Sequence, residues 1–122
     1  MTTPQDIANQ FVQFYYNTFD TNRAALGSLY RESSSLTWEG RTFSATNNIV
    51  EHFTSLPFEK VAHQVTTLDA QAASPASLIV MVTGALAIDG APPMQYSQCF
   101  HLLQDGGSFY VFNDLFRLNL SG

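Results

Sequence analysis

The hydrophobic period of this chain changes once, and that change limits the folds open to it. Up to Pro57 the apolar residues recur mainly at three- and four-residue spacing. From Val61 onward they alternate or run on almost unbroken. Helices first and a long meander after them is an α+β layout. The expected form is a cone-shaped roll, with three helices packed in the hollow of one strongly bent antiparallel sheet around an apolar cavity. Such a hollow is a natural ligand site.

Thr3-Pro4 followed by Asp6 gives an N-cap, a first-turn proline and an early acid. Ile7, Phe11, Val12, Phe14, Tyr15 and Phe19 then recur at helical spacing and predict a helix over about 4–19. Asp20-Thr21-Asn22 reads as a second cap, leading to a short helix from Arg23 to Leu29 with Leu26 and Leu29 inward. Leu36-Thr37-Trp38-Glu39-Gly40 and Arg41-Thr42-Phe43 read as the two arms of a short hairpin. Ser44 is expected to cap a third helix, with Ile49, Val50, Phe53 and Leu56 on one face and Pro57 as its stop.

Val61 to Asp69 alternates like a half-exposed strand, and Leu78 to Asp89 is an almost continuous apolar strand in which Gly84 suggests a bulge. Asp89-Gly90-Ala91-Pro92-Pro93 is a turn. Tyr96 to Gln104, the turn Asp105-Gly106-Gly107 and Phe109 to Leu118 complete the meander. No linker or repeat divides residues 1–122, which predicts a single domain.

Charge narrows the partners. Only 12% of residues are charged, against about 25% in an average globular domain, so part of the surface is apolar or uncharged and suits a partner or a second copy. A net charge of −5 with five scattered Lys and Arg excludes a basic nucleic-acid face and favours a basic protein partner. The lone Cys99 rules out a disulfide within the chain, and its strand context predicts an inert thiol. The amino terminus lacks the basic start and apolar run of a signal peptide, and no stretch reaches the roughly 18 apolar residues of a membrane span. A soluble protein of a reducing compartment is expected.

No phosphate loop, nucleophile elbow or zinc-helix motif is present, and His52, His63 and His101 are too dispersed to predict a metal site. His52 is expected on a solvated helix face. The layout can bring Trp38, Glu39, His63 and Asp89 to one pocket mouth. One reading is catalytic, a small dehydratase or isomerase in which His63 and Asp89 or Glu39 exchange protons. The other treats Glu39 and Asp89 as turn carboxylates beside Gly40 and Gly90, with Trp38 and His63 structural. Spacing alone leaves both open.

The residue strings carry more than their spacing. Gln13-Phe14-Tyr15-Tyr16-Asn17-Thr18-Phe19-Asp20, then Arg23, Leu26-Gly27 and Leu29-Tyr30, closely resemble the start of the nuclear transport factor 2 family. So do Leu36-Thr37-Trp38-Glu39-Gly40, Ile49-Val50-Glu51 and Ser55-Leu56-Pro57-Phe58. Thr67-Leu68-Asp69-Ala70-Gln71 and Phe112-Asn113-Asp114-Leu115-Phe116-Arg117-Leu118 resemble its fungal members. The resemblance implies a homodimer joined through its sheets, with no catalysis, no cofactor, and neither nucleic-acid nor membrane partners.

The family carries the GDP form of the small GTPase Ran into the nucleus and binds FxFG repeats of nucleoporins. It is found in cytoplasm and nucleus, concentrated at the nuclear pore. A phenylalanine from Ran's switch II enters the conical cavity while rim acids pair with basic side chains. By this resemblance Glu39 and Asp89 are rim acids, and Trp38 and His63 belong to the mouth. Leu56, Val61, Met81, Leu86, Ile88, Met94 and Phe116 line the cavity. The chain departs from the pattern twice: Ala91 stands where relatives have a second turn acid, and Pro4 where they have an aromatic that helps bind pore repeats.

Overall fold

The computed structural model describes residues 3–120. Helix α1 (Pro4–Thr21) opens on a capping box, in which the Asp6 amide donates to Thr3 Oγ1 at 3.1 Å and the Thr3 amide to Asp6 Oδ2 at 3.3 Å. Its buried face is Ala8, Val12, Tyr15, Tyr16 and Phe19. Phe14, expected in that stripe, is 55% exposed on the opposite side. The second expected helix is a 3₁₀-helix over Arg23–Leu29.

Six strands follow from there: β1 (Tyr30–Trp38), β2 (Arg41–Ser44), β3 (Val61–Ser74), β4 (Ser77–Ile88), β5 (Met94–Asp105) and β6 (Ser108–Leu118). Helix α2 (Thr46–Ser55) lies between β2 and β3. Ser44 ends β2 rather than capping α2. The cap position is Ala45, with no side-chain hydrogen bond and a left-handed backbone at φ 74° and ψ 149°.

The sheet order is β2-β1-β6-β5-β4-β3. Four of its five pairings are antiparallel, but β1 runs parallel to β6, so the sheet is mixed. The parallel pairing has a topological cause. β1 enters from the helical half and docks beside the last strand, a long crossover that no hairpin can make.

The bend has a residue-level cause. β3 carries an extra residue between Val65 and Thr67, opposite Gly84, and a Cβ on Gly84 would lie 2.3 Å from the Gln64 carbonyl oxygen. Only glycine allows that approach of two backbones. The helices fill the hollow this bend creates, and Tyr15, Tyr30, Phe53, Tyr96 and Phe100 are fully or almost fully buried there.

Candidate functional site

The strand directions bring one set of ends together. β1, β6 and β4 finish, and β5 and β3 begin, at the same end of the sheet. Register puts Trp38 opposite Phe116, Phe116 opposite Gln98, Met94 opposite Leu86, His63 opposite Leu86 and Val61 opposite Ile88. Cross-strand partners share a face. Trp38, Val61, His63, Leu86, Ile88, Met94 and Phe116 therefore share the helix-covered face at this end. Val61, Leu86 and Phe116 are buried, whereas Ile88 and Met94 are half-buried and form an apolar lip; Leu56, just after α2, is half-buried against the core.

Met81 does not belong with them. It alternates out of phase with Val80 and Val82, so it projects from the other face of the sheet and is 54% exposed. There it lines a hollow of about 180 Å³ with Cys99, Leu115 and Arg117. An almost all-apolar strand offers the eye no phase; only the position of Gly84 and the pairing with β5 fix it. Cys99 is partly buried, and burial, with Asp114 behind it, pushes its thiol upward and away from thiolate chemistry.

The two expected rim acids share an unusual backbone. Glu39 and Gly40 have φ 51° and 86°, and Asp89 and Gly90 have φ 50° and 77°. Two successive left-handed residues make the tight type I′ turn, whose second position glycine fills without steric cost. A positive φ in glutamate costs on the order of 1 kcal/mol.

Both acids are fastened. Glu39 donates its amide to the Phe116 carbonyl at 3.1 Å, and its carboxylate accepts the Leu118 amide. Asp89 accepts the Glu59 amide at 3.0 Å and the Lys60 amide at 2.7 Å on one oxygen, and donates its own amide to the Lys60 carbonyl at 2.8 Å. Three strand spacings separate β1 from β4, about 14 Å if the sheet were flat. The two acids occupy different turns, one after β1 and one after β4.

Trp38 and His63, expected at the mouth, are walls. Trp38 is 9% exposed and stacks on Phe116, and behind it His52 meets its indole edge-on with centroids 5.3 Å apart. His52 is not on a solvated face. It is buried flat against Phe43, and burial together with Arg41 lowers its pKa, so the ring is neutral at pH 7.

The His63 side chain is 2% exposed and stacked on Tyr16 at 4.2 Å. Its partner is Asp20, whose carboxylate lies 2.6 Å from His63 Nδ1 and accepts the His63 amide at 2.9 Å. The structure thus joins His63 to Asp20 and not to Glu39 or Asp89. In the sequence Asp20 fits a helix cap; in the fold it serves His63 instead.

A second carboxylate went unnoticed. Asp114 is 1% exposed and accepts hydrogen bonds from Tyr30 at 2.6 Å, Tyr15 at 3.2 Å and Gln98 at 2.8 Å, while Tyr16 donates to Gln98 at 2.8 Å. Burial pushes its pKa up to about 6 against the lowering effect of those three bonds. Burial, and then the Asp114 charge, push the Tyr15 and Tyr30 hydroxyls well above their ordinary range. The available signal was parity, since Asp114 occupies the same strand phase as Phe116 and Leu118. Buried among aromatic rings, this cluster organises the core. Among the described residues no group of three His, Cys, Asp or Glu could hold a metal, and no helix is long and apolar enough to cross a membrane.

Comparison with known proteins gives this geometry a family. A model of the nuclear transport factor 2 domain matches residues 7–118.

The chain belongs to the nuclear transport factor 2 family.

Nuclear transport factor 2 of Candida glabrata is 56% identical over 117 residues, covering 94% of each chain, and that of Saccharomyces cerevisiae matches to the same extent. The solved nuclear transport factor 2 of Cryptosporidium parvum superposes with a TM-score of 0.90 at 50% identity, covering 98% of each chain. The fold itself reaches further. A putative scytalone dehydratase of Novosphingobium aromaticivorans superposes at 0.79 with 11% identity over 93% of this chain and 83% of its own, a likeness of fold alone. Nuclear transport factor 2 relatives therefore share this chain's sequence as well as its shape, whereas that dehydratase shares only the shape.

Proposed function

We propose that this chain is a non-catalytic nuclear import carrier of a single domain that binds the GDP form of Ran. In this reading a phenylalanine of Ran's switch II enters over Leu56, Ile88 and Met94 toward the floor made by Trp38, Val61, Leu86 and Phe116. Glu39 and Asp89 pair with basic side chains around it. The fungal relatives, named nuclear transport factor 2, support the nuclear transport role. The observation that carries the finer reading is the placement of two acids in left-handed turns at the end of the sheet where that apolar lip lies.

Burying one phenylalanine contributes about 1.5–3 kcal/mol without choosing a partner. Exposed ion pairs add only about 0.2–1 kcal/mol each but fix orientation and reject wrong partners. Switch II changes shape with the γ-phosphate, so nucleotide selectivity needs no contact with the nucleotide. The chain works as a homodimer through the outer sheet face, where Ile79, Met81 and Leu115 are about half exposed. It moves between cytoplasm and nucleus by contacts with FxFG repeats and concentrates at the pore.

Immobilised protein should retain Ran loaded with GDP and release Ran loaded with GTP. Retention of both forms, or of neither, removes the reading.

The enzyme alternative loses its pairing, because His63 is engaged by Asp20 and is far more enclosed than a mouth residue. Glu39, half-buried, and Asp89, exposed, are each bound to backbone amides in turns, and neither is the partner of His63.

A further inference from the structure

The turn at Asp89 does more than display its own carboxylate. One Asp89 oxygen accepts both the Glu59 and Lys60 amides, and the Asp89 amide returns to the Lys60 carbonyl, three hydrogen bonds between two loops 29 and 30 residues apart. The same short segment is held from its other side. Arg23 donates to the Phe58 carbonyl at 2.6 Å and lies over the Phe58 ring at 5.4 Å. A stretch of three residues is thus clasped at both ends, with the Glu59 side chain left exposed. Among the described residues Glu59 enters no ion pair; the two pairs present join Arg31 to Asp105 and His63 to Asp20.

We propose that Glu59 is a partner-contacting acid of the rim, and that Asp89 acts largely as the positioning residue that presents it. The inference rests on the carrier reading above and changes the chemistry of that site. Ala91 leaves the turn with one acid, and Glu59 adds a second carboxylate on the loop that Asp89 clasps, next to the cationic Lys60. A lysine or arginine side chain of the partner meets two carboxylates there, Glu59 and the free oxygen of Asp89. A loop whose backbone is fixed in advance loses little further backbone entropy when the pair forms, which is what a held segment offers over a mobile one.

Substitutions separate charge from clasp. Asp89→Asn keeps an oxygen to accept the two amides but removes the charge; Asp89→Ala removes both. Glu59→Gln removes a charge and touches no observed hydrogen bond. Ran loaded with GDP is titrated calorimetrically into parent and variants at two salt concentrations, and amide exchange at residues 59 and 60 is followed by NMR.

Glu59→Gln should weaken binding by roughly two- to five-fold and flatten the salt dependence. Asp89→Ala should weaken it more than Asp89→Asn and expose the 59 and 60 amides to exchange. In the Asp89→Ala background, Glu59→Gln should cost less than in the parent. A parent that binds Ran-GDP while Glu59→Gln matches it in affinity and salt slope overturns this inference and leaves the carrier reading standing. Equal losses in Asp89→Asn and Asp89→Ala, with amide protection unchanged, overturn the positioning role. A parent that binds neither nucleotide form overturns both readings.

Discussion

Tyr30 donates its hydroxyl to the Asp114 carboxylate at 2.6 Å, at a place where Asp114 is 1% exposed to water. The pair ties the start of β1 to β6, and Tyr15 brings α1 into the same network. Helix and sheet are registered on one buried carboxylate. An ionised group there is stable only while its donors stay in place.

That burial sets a pH dependence. The folded pKa of Asp114 is raised to about 6 from an ordinary 3.8, so the folded chain holds this proton more tightly than the unfolded chain. Its contribution to stability is therefore fully present below about pH 4 and is lost as pH rises through about 6, a change on the order of 3 kcal/mol. Urea midpoints of the parent and Asp114→Asn, measured from pH 4 to 8, should diverge across that window, with the variant gaining relative to the parent as pH rises. Parallel profiles would show that Asp114 titrates normally.

Ala45 sits at φ 74° and ψ 149°, a region essentially reserved for glycine, with no side-chain cap to offset the strain. Ala45→Gly should stabilise the fold by about 1 kcal/mol and raise Tm by roughly 3–5 °C. A lower Tm in a thermal scan would mean that the backbone relaxes there without strain.

Met81 and Leu115 are 54% and 53% exposed on the outer sheet face. Burying a carboxylate between two such faces without a partner charge is prohibitive. Met81→Glu should leave far-UV circular dichroism unchanged and move the sedimentation mass from twice the 13.5 kDa chain toward the single chain. A parent already monomeric at the same concentration would contradict the proposed dimer.

How much of this was legible in the sequence depended on the range of the interaction. Local signals read well. The N-cap at Thr3, the 23–29 helix limits and the turns at Gly40 and Gly90 each depend on a few neighbouring residues, whereas the bulge that Gly84 suggested lies on the facing strand β3. Ser44 misled because its hydroxyl and position fit a cap, while the chain needed it to finish β2.

What failed was long-range. The β1–β6 pairing couples residues some 80 positions apart, and nothing near Trp38 specifies Phe116 as its neighbour. Asp20 with His63 and Asp89 with Lys60 are likewise contacts between distant segments. Met81 failed for another reason: in an apolar run, phase is set by neighbouring strands. The turns that carry Glu39 and Asp89 were legible from Gly40 and Gly90, but the backbone groups these acids hold were not.

The carboxylate of Glu39 binds the Leu118 amide, an acceptor that glutamine can also supply. Glu39→Gln therefore removes charge while keeping the turn, and isolates what that charge contributes to partner binding. The measurement is a calorimetric titration of GDP-loaded Ran into the parent and Glu39→Gln, with GTP-loaded Ran as the control. Binding of the GDP form alone is expected, weakened by roughly two- to five-fold in the variant with a shallower salt dependence. Absence of binding by the parent, or equal binding of both nucleotide forms, would contradict it.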